Sequence, residues 1–212
     1  MIRQISIPVS DEDVRSLRVG DVVELDGVGF TGRDTAHKYI VERFIEGKNG
    51  LDAEDRRLLE ALEETLAGGF IYHCGPIVRF EDGRWRFVSS GPTTSARIEA
   101  YQDRVIERFN LKIIIGKGGM GENTLKACKR FGCVYLQGVG GTGVLSAERV
   151  VEVLDVFKKE EFGLPEALWK IRVRGFTGIV TMDSHGSSLY NIQASEISER
   201  FSLLLEGKQA RG

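Results

Sequence analysis

The stretch KIIIGKGGMGENTLKACKRFG, residues 112–132, runs from an apolar strand through a glycine loop bearing one lysine into an amphipathic helix. That order is the building unit of a parallel sheet. Gly116, Gly118 and Gly121 satisfy G-x-G-x-x-G, a spacing that lets backbone close on a pyrophosphate at a helix N-terminus. CVYLQGVGGTGVLSAERVVEVLDVFKK, residues 133–159, repeats the arrangement with Gly138, Gly140 and Gly143, and its second half reads as an amphipathic helix. A dinucleotide site also needs an acidic residue at the end of the next strand. The strand after the first loop ends in Gln137, and LWKIRVRGF after the second ends without a carboxylate. Neither loop has the spacing of a nucleoside triphosphate cradle. What the pattern retains is a preference for a small anion, from N–H groups at two helix N-termini and the Lys117 ammonium. A stand-alone nucleotide- or anion-binding module is the corresponding functional alternative.

The chain has 212 residues, 42% of them hydrophobic, enough for an ordinary core. Its formal net charge of −2 gives no footprint for nucleic acid. No apolar run approaches a membrane span, and MIRQISIPVSDEDVRSL lacks the apolar segment of a signal peptide, so a cytoplasmic location is expected. Cys74, Cys128 and Cys133 are odd in number and irregularly spaced, which suits small buried residues better than disulfides or iron–sulfur ligands.

DVVELDGVGFTGRD reads as two short strands broken at Asp26-Gly27. A helix follows from Asp34, stopping at Gly47, and a second has Asp52 as N-cap and Gly68-Gly69 as its end. FIYHCGPIVRF and RWRFVSS form an antiparallel pair around Asp82-Gly83, and SARIEAYQDRVIERFN is helical. ALWKIRVRGFTGIVTMDSHGSSLY reads as a hairpin. No linker divides the chain, so residues 1–212 are expected to form one compact α/β domain with a mixed sheet, ending in a flexible tail at about 207–212.

Polar residues gather where strands give way to helices. In SSGPTTSARIEAY, Thr93 and Arg97 share a face if the helix has begun by Thr93; alternatively Thr93 or Thr94 is an N-cap and Arg97 a solvated arginine. In TGRDTAHKY, Arg33 precedes a helix and His37 lies one turn later, with Asp34 as cap and His37 as a surface residue the plainer account. Arg33, Arg97 and Lys117 could together grip two carboxylates. No Ser-His-Asp arrangement, H-E-x-x-H or carboxylate cluster accompanies them. The set reads as half an active site.

The motifs TGRDTAH, HCGPIVRF, GPTTSAR, GKGGMG and LWKIRV…MDSHG, in that order across residues 10–195, resemble the β subunit or C-terminal domain of the iron–sulfur-dependent class I fumarate hydratases and the related L-tartrate dehydratases. The resemblance implies a swivelling β/β/α domain paired with an α subunit that carries a [4Fe-4S] cluster, in an assembly of two α and two β subunits. It implies a hydro-lyase interconverting fumarate and malate, or alternatively converting tartrate to oxaloacetate. It makes Thr93 the base and gives Arg33, Arg97, Lys117 and the neighbouring Gly118 to the dicarboxylate substrate, with Thr94 adjoining it. His37 is implied as catalytic in the tartrate branch. GVGGTG departs from the family's alanine- and cysteine-containing versions of that loop.

Overall fold

The computed structural model describes residues 2–47 and 50–209, with side chains through residue 205. The strands are β1 (Ile2–Ser6), β2 (Val22–Thr31), β3 (Phe70–Tyr72), β4 (Ile77–Glu81), β5 (Arg84–Ser89), β6 (Ile113–Gly116), β7 (Val134–Gln137), β8 (Val150–Phe157) and β9 (Leu168–Met182). The helices are α1 (Asp11–Ser16), α2 (Asp34–Ile40), α3 (Ala53–Leu66), α4 (Glu99–Phe109), α5 (Glu122–Phe131), α6 (Gly143–Glu148), α7 (Lys159–Phe162) and α8 (Leu189–Gln209). A π-helical turn at Val41–Ile45 extends α2, and a 3-10 turn at Ser95–Ile98 leads into α4.

Seven strands pair in the order β1-β2-β3-β6-β7-β9-β8, and β2 also pairs with β9. The ladder β2-β3-β6-β7-β9 therefore closes into a ring, with β1 and β8 as flanking strands. From β1 to β7 the neighbours in this order are parallel, while β9 is antiparallel to β2, β7 and β8. The expected mixed α/β sheet is present.

Alternation along the short strands explains the two cores. Phe70, Tyr72, Ile113, Ile115, Val134 and Leu136 point into the ring, where they meet Val23, Leu25, Trp169 and Val180. The intervening Ile71, Ile114 and Tyr135 point outward and pack beneath α2, α3, α4 and α5 through Ile40, Leu58, Leu62, Val105 and Leu125. Both faces of these strands are buried, which is why they read as continuous apolar runs. Each fully buried large aliphatic side chain contributes about 1.5–3 kcal/mol.

The structure differs from the sequence reading at four places. Asp26-Gly27 is a bulge within one continuous β2, not a turn; Gly27 has φ +140°, and the slip against β9 falls where the other edge of β2 passes from β1 to β3. FIYHC does not join the hairpin, because Phe70–Tyr72 is the parallel strand β3; only β4 and β5 pair about Asp82-Gly83. The helix expected after Gly143 stops at Glu148, and VVEVLDVF forms β8 against β9. β9 is one 15-residue strand rather than a hairpin, since Gly175, at φ +61°, bends it from β8 toward β7. At the C-terminus α8 continues to Gln209, and the remainder of the expected tail, 210–212, lies outside the described residues.

Candidate active site

The C-terminal ends of parallel strands β2, β3, β6 and β7 lie side by side, and the loops that follow them form one rim. Open α/β sheets and closed α/β barrels alike bind ligands at that end of their parallel strands. The segment after β5 crosses the rim: Cys74 bridges Pro92, Thr93 N–H donates to His73 O at 2.7 Å, Thr94 bridges Lys117, and Ser95 N–H donates to Lys117 O at 2.9 Å. Thr93, Thr94 and Lys117 are brought together in this way by backbone pairing. The helical spacing of Thr93 and Arg97 is not the cause, because the 3-10 turn begins at Ser95. Thr94 occupies the cap position but makes no side-chain cap bond, so the capping alternative fails there.

Arg33 leads from β2 into α2 as its N-cap residue, with no side-chain capping bond, so Asp34 is not the cap. Its Nε stands 2.9 Å from Glu166 Oε1. The contact is a charge pair rather than an aligned hydrogen bond, since Arg33 Nε and Glu166 Oε2 have no hydrogen-bond partner among the described residues. A Cβ on Gly75 would come within 2.6 Å of Arg33 Cδ and 2.8 Å of its Nη1, which accounts for the glycine in HCGP. Lys117 is half-buried and Arg97 exposed. Neither side chain has an ion-pair or hydrogen-bond partner among the described residues, and neither does the Thr93 hydroxyl. Two cations without internal counter-ions thus accompany an unengaged hydroxyl on one rim.

His37 is not a surface residue. It is fully buried, its Nδ1 lies 2.8 Å from Arg33 O, and its ring meets His73 edge-on at 5.1 Å between centroids. Burial pulls its pKa down to about 4 and pushes that of His73 well below the usual range, so both rings are neutral near pH 7. His73 Nδ1 lies 2.9 Å from Ser95 Oγ and its Nε2 2.9 Å from Gln102 Oε1; Ser95 Oγ lies 2.8 Å from the Tyr135 hydroxyl and accepts Lys117 N–H at 3.2 Å. Sequence reading missed Ser95, His73, Gln102 and Tyr135. Their partners are 22 to 40 positions away, beyond any local pattern.

The glycine loop is built for this chain's own groups. A Cβ on Gly116 would collide with Ser95 Oγ and stand 2.7 Å from the Tyr135 hydroxyl. At the N-terminus of α5 the anion is Glu99, whose carboxylate accepts Gly121 N–H at 2.7 Å, Asn123 N–H at 3.0 Å, Thr124 N–H at 3.2 Å and the Thr124 hydroxyl at 2.7 Å. A phosphate would have to displace that carboxylate, which removes the physical basis for a nucleotide site there. Gly118, exposed and at φ +81°, donates its N–H to Gln137 Oε1 at 3.1 Å; the same oxygen accepts the Tyr190 hydroxyl at 2.6 Å, and the Tyr190 ring lies against Gly119.

The cysteines do not form a ligand set. Cys74 is buried inside the ring and Cys128 and Cys133 beneath the helices; burial pushes the Cys74 thiol up to about 12 and that of Cys133 well above its usual range. No group of three or more His, Cys, Asp and Glu side chains among the described residues could hold a metal ion. Nor is any described helix long and apolar enough to cross a membrane. The closing MDSHG motif is architectural: Asp183, almost fully buried, accepts N–H bonds from Val19, His185 and Ser187. A groove of about 830 Å³ between the β4–β5 hairpin and β8 shares none of the rim residues.

Arginine, lysine and threonine thus meet on one rim of parallel strand ends. The chain belongs to the family described as Fumarase C-terminus, whose model matches residues 2–193. It is 41% identical over 194 residues to a Geobacillus stearothermophilus protein provisionally named fumarate hydratase class I, covering 91% of this chain and 34% of that protein. It is 38% identical over 198 residues to a Methanocaldococcus jannaschii protein provisionally named L(+)-tartrate dehydratase subunit beta, covering 93% and 95% respectively. Identity to the L(+)-tartrate dehydratase subunit beta of Escherichia coli is 35% over 207 residues, covering 97% and 95%. The chain thus spans about a third of the first relative and nearly all of the other two.

Proposed function

We propose that this chain is the β subunit of a hydro-lyase that hydrates fumarate to malate reversibly, contributing carboxylate-binding and proton-transfer residues to an active site shared with an α subunit. The observation that carries the reading is the joining of Thr93, Thr94 and Lys117 on the rim by backbone pairing, with the Lys117 and Arg97 cations unpaired. Arg33 and Arg97 offer planar forks for the substrate carboxylates and Lys117 a point charge. Gly118 N–H is already taken by Gln137, so its part is to keep side-chain bulk away from the substrate. Thr93 removes the carbon-bound proton. A threonine hydroxyl is a weak base at its ordinary pKa, and the adjacent cations lower the cost of its alkoxide.

The family resemblance puts a [4Fe-4S] cluster on the α subunit. The three buried cysteines here do not fit such a cluster, and the steps assigned to this chain are binding and proton transfer. One domain over residues 1–212, a cytoplasmic location and an assembly of two α and two β subunits complete the proposal. Coverage of 95% of the tartrate dehydratase β subunits favours a second reading, the dehydration of tartrate on the same rim. Anaerobic co-expression with the α subunit, followed by assays on malate, fumarate and both tartrate enantiomers, separates the two. Lack of turnover on all four would overturn the hydro-lyase reading.

A further inference from the structure

The polar groups beneath the rim admit one consistent donor–acceptor order. A carbonyl only accepts, so His37 Nδ1, against Arg33 O, bears the proton and leaves Nε2 as an acceptor. Ser95 Oγ accepts Lys117 N–H; its remaining neighbours, the Tyr135 hydroxyl and His73 Nδ1, are satisfied if tyrosine donates to serine and serine to histidine. His73 then donates from Nε2 to Gln102 Oε1, which turns the Gln102 amide nitrogen away from His73. Gln102 Nε2 and His37 Nε2 are both buried and make no hydrogen bond among the described residues, although one is a donor, the other is an acceptor, and Gln102 lies near enough to His37 to act on its ring. Turning the amide over would set its oxygen against the lone pair of His37 Nε2, which only a buried imidazolium would tolerate.

We propose that Tyr135, Ser95, His73 and Gln102 form one directional hydrogen-bond chain, that the Gln102 amide nitrogen closes on His37 Nε2 to carry it on to Arg33 O, and that Ser95, His73 and Gln102 thereby position the Thr93–Arg97 segment against the Lys117 loop. His37 is the neutral end of this chain and does not exchange protons with substrate. Ser95 is the junction: its backbone N–H holds Lys117 O, its hydroxyl holds Lys117 N–H, and the His73 residue that receives its proton also receives Thr93 N–H on its carbonyl. Fixing both loops through two side chains removes their freedom before substrate arrives, the condition for a well-placed base and cation. That this placement serves a hydro-lyase rests on the function proposed above; the chain of hydrogen bonds does not.

The test uses the full-length protein labelled with ¹⁵N-histidine. With three histidines in the sequence, single replacements assign the rings. At pH 7 the imidazole spectra should give His37 protonated on Nδ1 and His73 on Nε2; either opposite tautomer overturns the chain. Gln102→Glu removes the donor to His37 Nε2, and His37 should then take a second proton, its two nitrogen shifts converging; an unaltered ring overturns the Gln102–His37 link. Ser95→Ala should speed amide exchange at Lys117 by roughly tenfold or more, the worth of one lost hydrogen bond, while amides of the β4–β5 hairpin hold. Unchanged exchange at Lys117 overturns the positioning role. In enzyme reconstituted with its α subunit, the same variant should lower kcat on the order of 10-fold to 100-fold with a smaller change in KM; an unchanged kcat also counts against positioning. Failure of the wild-type enzyme to turn over dicarboxylates would sink the hydro-lyase reading alone, since tautomers and exchange are read without substrate.

Discussion

Gly116, Gly118 and Gly121 stand over a packed polar interior, whereas Gly138, Gly140 and Gly143 border an open apolar edge. Beneath the first loop lie Ser95, His73 and Tyr135, and the helix that follows is capped by Glu99. The second loop carries Val139 and Val144, each 61% exposed, and Leu145, 60% exposed, beside a shallow hollow floored by Phe176. The two loops have the same glycine spacing. Their glycines answer to different neighbours, close approach to buried polar groups in one case and close passage of strand-end segments in the other. The fingerprint reports that backbone must come close to something, and the surroundings decide what.

The sharpest way to break the contrast is at the residues aligned with the first loop. Thr93→Val keeps the branched shape and deletes the hydroxyl, so the reconstituted enzyme should lose roughly 10²–10⁴ in kcat with little change in stability. Solvent exchange of the malate C3 proton checks it, and undiminished exchange would move the base role elsewhere. Lys117→Ala and Arg97→Ala should each cost on the order of 2–5 kcal/mol in transition-state binding, read from kcat/KM. Near-normal values in both would leave them as solvated cations.

Stability comparisons reach the loops themselves. Gly116→Ala forces a methyl into the Ser95 hydroxyl and should destabilise the chain by about 3 kcal/mol, whereas Gly140→Ala meets only the flexible Lys117 Cδ at 3.3 Å and should cost well under about 1 kcal/mol. Urea midpoints of the two variants test the difference. The buried rings add a pH signature. For His37 the folded pKa, about 4, lies below the unfolded value of 6.5, so its contribution is complete above pH 6.5 and declines as the unfolded chain takes up a proton on acidification toward pH 4. By pH 5 the loss should be about 2 kcal/mol from this ring, with His73 acting in the same direction. A flat stability profile between pH 7 and 5 would mean that one or both rings reach water. Glu99→Ala should cost a further modest amount, about 1 kcal/mol, through loss of the cap on α5. Sulfate protecting this variant against unfolding, but not the parent chain, would mark the vacated helix end.

What the sequence disclosed follows from how local each cause is. β6 and α5 were legible because apolar run, glycine loop and amphipathic stretch are contiguous, and the Asp82-Gly83 hairpin because its turn chemistry is self-contained. β8 is masked in the sequence because VVEVLDVF follows a true helical turn without a break, although its β-branched residues favour a strand. β9 was misread because Gly175 and Gly178 look like turn residues, although the first serves a bend and the second the close approach of Leu136. The rim cations Arg33, Arg97 and Lys117 were named from motifs. The groups that orient the rim were not, since Gln102 sits inside an ordinary helix and only the fold carries it to His73, 29 positions away.

Gln137 Oε1 receives both Gly118 N–H and the Tyr190 hydroxyl, and the Tyr190 ring supports Gly119. Beyond this first turn α8 is solvent-facing from Asn191 to Leu205, with Ile197, Phe201 and Leu204 among its exposed side chains. The first turn of α8 is thereby tied to the lysine loop at two points, and any displacement of Tyr190 would take from that loop both its aromatic support and the second hydrogen bond on its shared acceptor.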